Sequence, residues 1–151
     1  MSLAVYKEDK VRGDVGENML LKVFPTLKKG SFAARKEYDF FDGVTGATYE
    51  LKTDFYQMSQ TKNFFIEKYS SIENSTLGGP FRSTNTTYYA YFYIKDNLLF
   101  LFKTDILLKV LESVCANLEL VPVPNMGYTT GGYKVPRSLI AKYAEIIIRV
   151  V

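Results

Sequence analysis

The sequence predicts an α/β domain: short apolar or alternating segments bounded by turn residues interleave with segments whose apolar positions recur at helical spacing. Its 151 residues, 47% apolar and 23% charged, suit one folded unit that buries roughly 68–70% of its unfolded surface. No internal repeat, low-complexity tract or Pro/Gly/Ser linker divides the chain.

Residues 14–24 (DVGENMLLKVF) place apolar side chains at helical spacing and stop at Pro25, which predicts a helix. Arg35 to Asp42 and Ala47 to Asp54 read as two strands around the turn-forming Gly43-Val44-Thr45-Gly46. Asn63 to Tyr69 (NFFIEKY) reads as a third strand. The stretch 70–86 is rich in Ser, Asn, Gly and Pro and reads as a connection in which Pro80 opens a short helix, although Ser83-Thr84-Asn85-Thr86 are poor helix formers. Thr87 to Ile94 and Leu98 to Lys103 suggest a hairpin around Lys95-Asp96-Asn97, and Thr104-Asp105 can cap a helix running to Ala116. Leu118 to Val123 follows as a further strand and Gly127 to Gly132 as a mobile loop. Pro136-Arg137-Ser138 then opens a short helix before the strand-like Ile146 to Val151.

Composition excludes more than it selects. Nineteen Lys and Arg against sixteen Asp and Glu leave +3, a mild excess that permits a polyanionic partner without demanding one. The chain has no histidine, so Ser-His-Asp triads, Cys-His pairs, His-ligated metals and a His general base are all unavailable. Acid–base work falls to Lys, Asp, Glu or Tyr. The single cysteine, Cys115, cannot form an intrachain disulfide and reads as a buried helical residue, which fits a reducing compartment. No run reaches the length of a membrane span and the first residues carry Lys7, Glu8, Asp9 and Lys10, so the expected location is cytoplasmic, without a membrane partner.

The segment Thr48-Tyr49-Glu50-Leu51-Lys52-Thr53-Asp54 alternates sharply. A strand places Thr48, Glu50, Lys52 and Asp54 on one face and Tyr49, Leu51 and Thr53 on the other. If Gly43 to Gly46 form a four-residue loop, Asp42 pairs with Ala47, Asp39 stands opposite Glu50 and Glu37 opposite Lys52. Any even loop keeps Asp39 and Glu50 on one face, and a three-residue loop separates them. Opposed carboxylates are destabilising unless a positive charge sits between them, and a divalent cation would serve. Magnesium takes a few carboxylate oxygens, a carbonyl and waters, and a lysine two residues after the glutamate can position or deprotonate an attacking water. The plain structural alternative is a solvated sheet face with a Glu37–Lys52 ion pair, worth about 0.2–1 kcal/mol.

Tyr38-Asp39-Phe40 followed by Tyr49-Glu50-Leu51-Lys52, with Glu17 in the preceding helix, resembles the PD-(D/E)xK nuclease superfamily, whose members are also called restriction-endonuclease-like. Asn63-Phe64-Phe65-Ile66-Glu67, Gly78-Gly79-Pro80-Phe81 and Tyr88-Tyr89-Ala90-Tyr91-Phe92 look like its small phage-type endonucleases. The resemblance spans residues 14–94, with Tyr38 in place of the proline that names the motif. It implies a mixed central sheet flanked by helices in the order αβββαβ, and a magnesium-dependent DNA endonuclease in which manganese can substitute. Asp39, Glu50 and the Leu51 carbonyl would hold the metal, Glu17 would assist, and Lys52 would serve the water. Products would carry 5′-phosphate and 3′-hydroxyl ends, and a homodimer would allow both strands to be cut. The alternative of a different class is a non-catalytic nucleic-acid-binding or assembly module that retains this fold.

Residues 1–36 carry eight Lys and Arg against four Asp and Glu, hence +4, while the rest sums to −1. Lys10, Arg12, Lys28 and Lys29, together with Lys62 and Arg82, are therefore the candidate phosphate contacts. Glu67 either extends the acidic site or pairs with Lys62, and the second is favoured. The aromatic run from Tyr88 to Tyr93 reads as core and sheet surface before it reads as a base-stacking platform. No Gly-x-x-x-x-Gly-Lys-[Ser/Thr] loop occurs, so an NTPase is not expected.

Overall fold

The computed structural model describes residues 14–31 and 38–150. Its centre is a pair of antiparallel strands, β6 (Tyr88–Tyr93, YYAYFY) and β7 (Leu98–Lys103, LLFLFK). Both read as near-continuous apolar runs because both of their faces are covered. Tyr89, Tyr91, Tyr93, Phe100 and Phe102 enter one core cluster, and Ala90, Phe92, Leu99 and Leu101 enter the other. The turn between them is a 3-10 segment, Ile94–Asp96, closed by Asn97 in the left-handed region.

Six strands form the main sheet in the order β1 (Leu27–Lys29), β2 (Phe40–Asp42), β3 (Thr48–Asp54), β6, β7 and β10 (Ile146–Arg149). Every pairing is antiparallel except β3 with β6, which is parallel, so the sheet is mixed. Helix α1, seen over 14–23, covers one face, packing Leu20 and Leu21 with Tyr49, Leu51 and Phe92.

A second sheet of four strands covers part of the other face, in the order β5 (Thr76–Leu77), β4 (Asn63–Ser71), β9 (Thr129–Pro136) and β8 (Val121–Pro124). Phe64, Ile66 and Val135 from this sheet join Leu107 and Leu111 of α3 (Thr104–Cys115) and Ile140 of α4 (Arg137–Ile140) in the tyrosine-rich core. The short α2 (Gly79–Arg82) has Pro80 in its first turn, as the sequence predicts.

Several expectations are corrected. The strand beginning at Asn63 is not the third strand of the main sheet; it pairs with β9 and β5, and the hairpin's neighbours are Leu27–Lys29 and β6. Thr129 to Gly132, read as part of a mobile loop, belongs to β9, where Gly132 lies opposite Glu67. A Cβ on Gly132 would fall 2.5 Å from the Phe65 ring, so the glycine makes room for an aromatic lying across the sheet. Thr104 does not cap α3 but is fully buried, sharing a 3.0 Å hydroxyl–hydroxyl hydrogen bond with Thr86. Cys115 is half-buried. The expected strand start at Arg35 falls outside the described residues. Among the described residues no helix is long and apolar enough to cross a membrane.

Candidate active site

Strand β3 is the platform. Its odd positions Tyr49 and Leu51 pack under α1, which leaves Glu50, Lys52 and Asp54 on the face toward the second sheet. Asp54 is committed to structure: it is 7% exposed, Tyr91 O–H donates to its Oδ2 at 2.5 Å and Tyr56 N–H to its Oδ1 at 2.9 Å. Tyr91 Oη also accepts the Phe65 N–H at 2.9 Å. One phenol thus ties β3 to β4 and fixes the second sheet over Lys52.

The hairpin has the four-residue loop. Asp42 N–H donates to Ala47 O at 2.7 Å, Gly46 N–H to Asp42 O at 2.9 Å, and the register runs Phe41↔Thr48 and Phe40↔Tyr49. Asp42 sets this turn by accepting Val44 N–H at 2.8 Å and Thr45 N–H at 3.3 Å, which holds its carboxyl below the usual range. One residue further the regular pairing breaks. Asp39 C=O still accepts Gly30 N–H at 2.8 Å from the β1 side, but its N–H turns to Tyr49 O at 2.9 Å, so Asp39 and Phe40 both stand opposite Tyr49, as in a β-bulge. The expected simple cross-strand pair of Asp39 and Glu50 is therefore replaced. Asp39 Oδ2 accepts the Leu51 N–H at 2.9 Å, hooking its carboxylate onto the β3 backbone beside Glu50.

Electrostatics bring the group together. Glu50 has its carboxyl pushed up to about 8, by burial first and by the Asp39 carboxylate second, with Glu67 adding to the rise. The Ser83 hydroxyl, donating to Glu50 Oε2 at 3.3 Å, and the Arg82 guanidinium work the other way. Glu67 is also raised by burial, against the pull of Lys52, the Gly79 N–H and Arg82. The fully buried Tyr89 phenol is raised well above its ordinary value, by burial first and then by Glu50, Glu67 and Asp39. Three carboxylates and two cations, Lys52 and Arg82, therefore share one end of the sheet face.

Not every expected residue joins them. Glu17 lies in the α1 layer on the other face and pairs with Lys29, Oε2 to Nζ 3.4 Å. Among the described residues no three acidic or cysteine side chains converge on one metal position, so the structure does not bring Glu17 into the Asp39–Glu50 group as the resemblance implies. Lys28 and Lys29 are exposed on β1. Lys10, Arg12 and Glu37 lie outside the described residues. Arg82 acts on Glu50 and Glu67, and Lys62 lines a cleft of about 1260 Å³ that also takes in Lys52, Lys95, Lys134, Tyr56 and Phe65.

Sequence reasoning undervalued Glu67 and missed Ser83, Lys95 and Lys134. Glu67 shares the parity of Phe65 on β4, the one signal that it faces β3 rather than the core. At Gly79 the φ is +54° and a Cβ would sit 2.5 Å from Glu67 O, so the chain after Gly78 presses against that residue. Compared with protein-family models, curated proteins and solved structures, the chain matches none.

Proposed function

We propose that the chain is a magnesium-dependent DNA endonuclease working through an Asp/Glu-x-Lys site. The observation that carries the reading is Asp39 held against β3 beside a half-buried Glu50, with Lys52 two residues on along the same face. A desolvated carboxylate placed beside a second one is costly in the metal-free protein, and the two become ligands when a cation arrives. The main sheet supports the same reading: a helix, three antiparallel strands, a crossover that passes through β4, β5 and the short α2, and a strand returning parallel to β3.

Two carboxylates, a backbone carbonyl and waters suit magnesium, and manganese would be accepted by the same oxygens. Asp39, Glu50 and the Leu51 carbonyl would hold the ion. When bound, it would lower the pKa of a coordinated water and offset charge on the phosphoryl group. Lys52 orients the water for in-line attack on phosphorus and balances the non-bridging oxygens, while Arg82 holds the phosphodiester. The P–O3′ bond breaks as the new P–O bond forms, leaving a 5′-phosphate and a 3′-hydroxyl.

The test is cleavage of single-stranded, supercoiled and linear duplex DNA by the parent chain and Lys52→Ala, with magnesium, manganese and chelator. The parent should cut only with metal and the variant should not cut, while both bind DNA in chelator. DNA binding without cleavage at any metal concentration would replace this reading with the non-catalytic binding module.

A further inference from the structure

We infer that the cleft beside Lys52 is the track of an unpaired polynucleotide strand, single-stranded DNA or RNA, which it leads toward the Asp39–Glu50 group. This deepens the nuclease reading and rests on it only for what happens to the strand once bound.

Four separate parts of the chain bring an ammonium group to this one concavity: Lys52 from β3, Lys62 from the loop before β4, Lys95 from the 3-10 turn after β6 and Lys134 from β9. Asp54, the carboxylate among the described lining residues, is already taken by Tyr91 O–H and Tyr56 N–H. The cleft therefore presents four lysines against one lining carboxylate, an excess of positive charge that a chain of phosphates would answer.

The second observation is aromatic. Tyr56 is 68% exposed at the cleft wall, and Phe65 lies across Gly132 with Lys52 Nζ 5.9 Å from its ring centroid. A duplex hides its base faces and offers such rings nothing to stack on, whereas an unpaired strand offers both phosphates and bases, and cationic grooves with stacking rings bind single strands.

The wall that carries Tyr56 and Lys62 is built, too. Asp96 Oδ2 accepts the Met58 N–H at 2.7 Å, and the Arg137 guanidinium donates to Met58 O at 3.0 Å and to Thr61 O at 2.7 Å. The Arg137 N–H donates to Lys62 O at 2.8 Å, and its guanidinium stacks on Tyr93 at 5.2 Å. A loop pinned at Met58, Thr61 and Lys62 loses little freedom on binding.

The experiment is fluorescence anisotropy of the full chain in chelator with labelled oligo-dT, oligo-U and a blunt duplex of the same length. Tyr56→Ala and the triple variant Lys62→Gln/Lys95→Gln/Lys134→Gln are compared with the parent, and their melting temperatures confirm folding. The parent should prefer a single strand to the duplex, with the two oligonucleotides telling DNA from RNA. Tyr56→Ala should weaken single-strand binding roughly tenfold. The triple variant should reduce the slope of log affinity against log salt by about 0.7 for each lysine removed. Undiminished single-strand binding in both variants, or tighter binding of the parent to duplex, overturns the inference. The two readings fail separately. Binding losses in the variants beside a parent that cleaves nothing with magnesium sink the nuclease reading alone; a parent that cleaves while both variants bind as it does sinks the strand track alone.

Discussion

Glu50→Gln is the sharpest perturbation, because it deletes a charge and preserves shape. In the metal-free protein the Glu50 carboxyl is raised from about 4.5 to about 8, chiefly by burial and by Asp39. Between those values the native state holds a proton that the unfolded chain has released, so native stability must fall as pH rises. The slope is at most about 1.4 kcal/mol per pH unit for one proton and vanishes above the native value. From pH 5 to pH 7 the loss is on the order of 2 kcal/mol, or roughly 4–8 °C in melting temperature for a chain of this size. Glutamine escapes that loss, and its carbonyl oxygen still accepts the Ser83 hydroxyl that donates to Glu50 Oε2. In chelator the variant should therefore melt close to the parent at pH 5 and several degrees above it at pH 7. Magnesium reverses the comparison. A ligand that binds only the native state stabilises it by about 2.7 kcal/mol at a hundredfold excess over its Kd, and the variant has lost a ligand. Thermal scans of both proteins at the two pH values, with chelator and with magnesium, read both signs. A melting difference that does not change with pH, or equal magnesium shifts in the two proteins, would refute the reasoning and make Glu50 a structural acid.

Further outcomes follow from the same geometry. Lys52→Ala should abolish cleavage while moving stability by less than about 1 kcal/mol, since its contacts are the Glu67 carboxylate field and the Phe65 ring 5.9 Å from its Nζ; retained cleavage in a gel assay contradicts its role. Magnesium affinity measured by calorimetry should rise about tenfold per pH unit up to pH 8 and then level off, because the metal must displace the Glu50 proton; a flat profile would exclude that ligand. Tyr91→Phe removes the hydroxyl shared by Asp54 and the Phe65 N–H, and should cost about 2–3 kcal/mol in urea denaturation; a loss under about 0.5 kcal/mol would mean the phenol does not hold the sheets together. Gly79→Ala should cost at least about 1–3 kcal/mol, as it adds left-handed strain to a collision with Glu67 O, and an unchanged denaturation midpoint would count against that packing.

Much of β3 could be read locally. Alternation in Thr48 to Asp54 assigns Glu50 and Lys52 to one face, because it depends on neighbours within a few residues, whereas the choice between an even and an odd loop is settled by the Asp42 hydrogen bonds of the folded turn. The bulge at Asp39 was not legible. It arises where the backbone divides its hydrogen bonds between Gly30 and Tyr49, partners supplied by two other strands. For the same reason Glu17, whose place on the helical wheel is compatible with a ligand or a core-edge acid, was resolved only when α1 settled on the Tyr49 face and Lys29 came within 3.4 Å.

The amino-acid sequence alone establishes the alternating charged strand, the absence of histidine chemistry and the buried character of the paired aromatic strands. Each is a matter of residue type or period. Tertiary structure alone decided which sheet Asn63–Ser71 joins, since Phe64 and Ile66 facing inward satisfy either partner. That choice places Glu67 against Lys52 and, with β9 and the turn after β6, gathers Lys95 and Lys134 into the same cleft. Strand partners are selected by the burial of whole faces across long stretches of chain, and no local pattern in the sequence encodes which distant charges such burial will bring together.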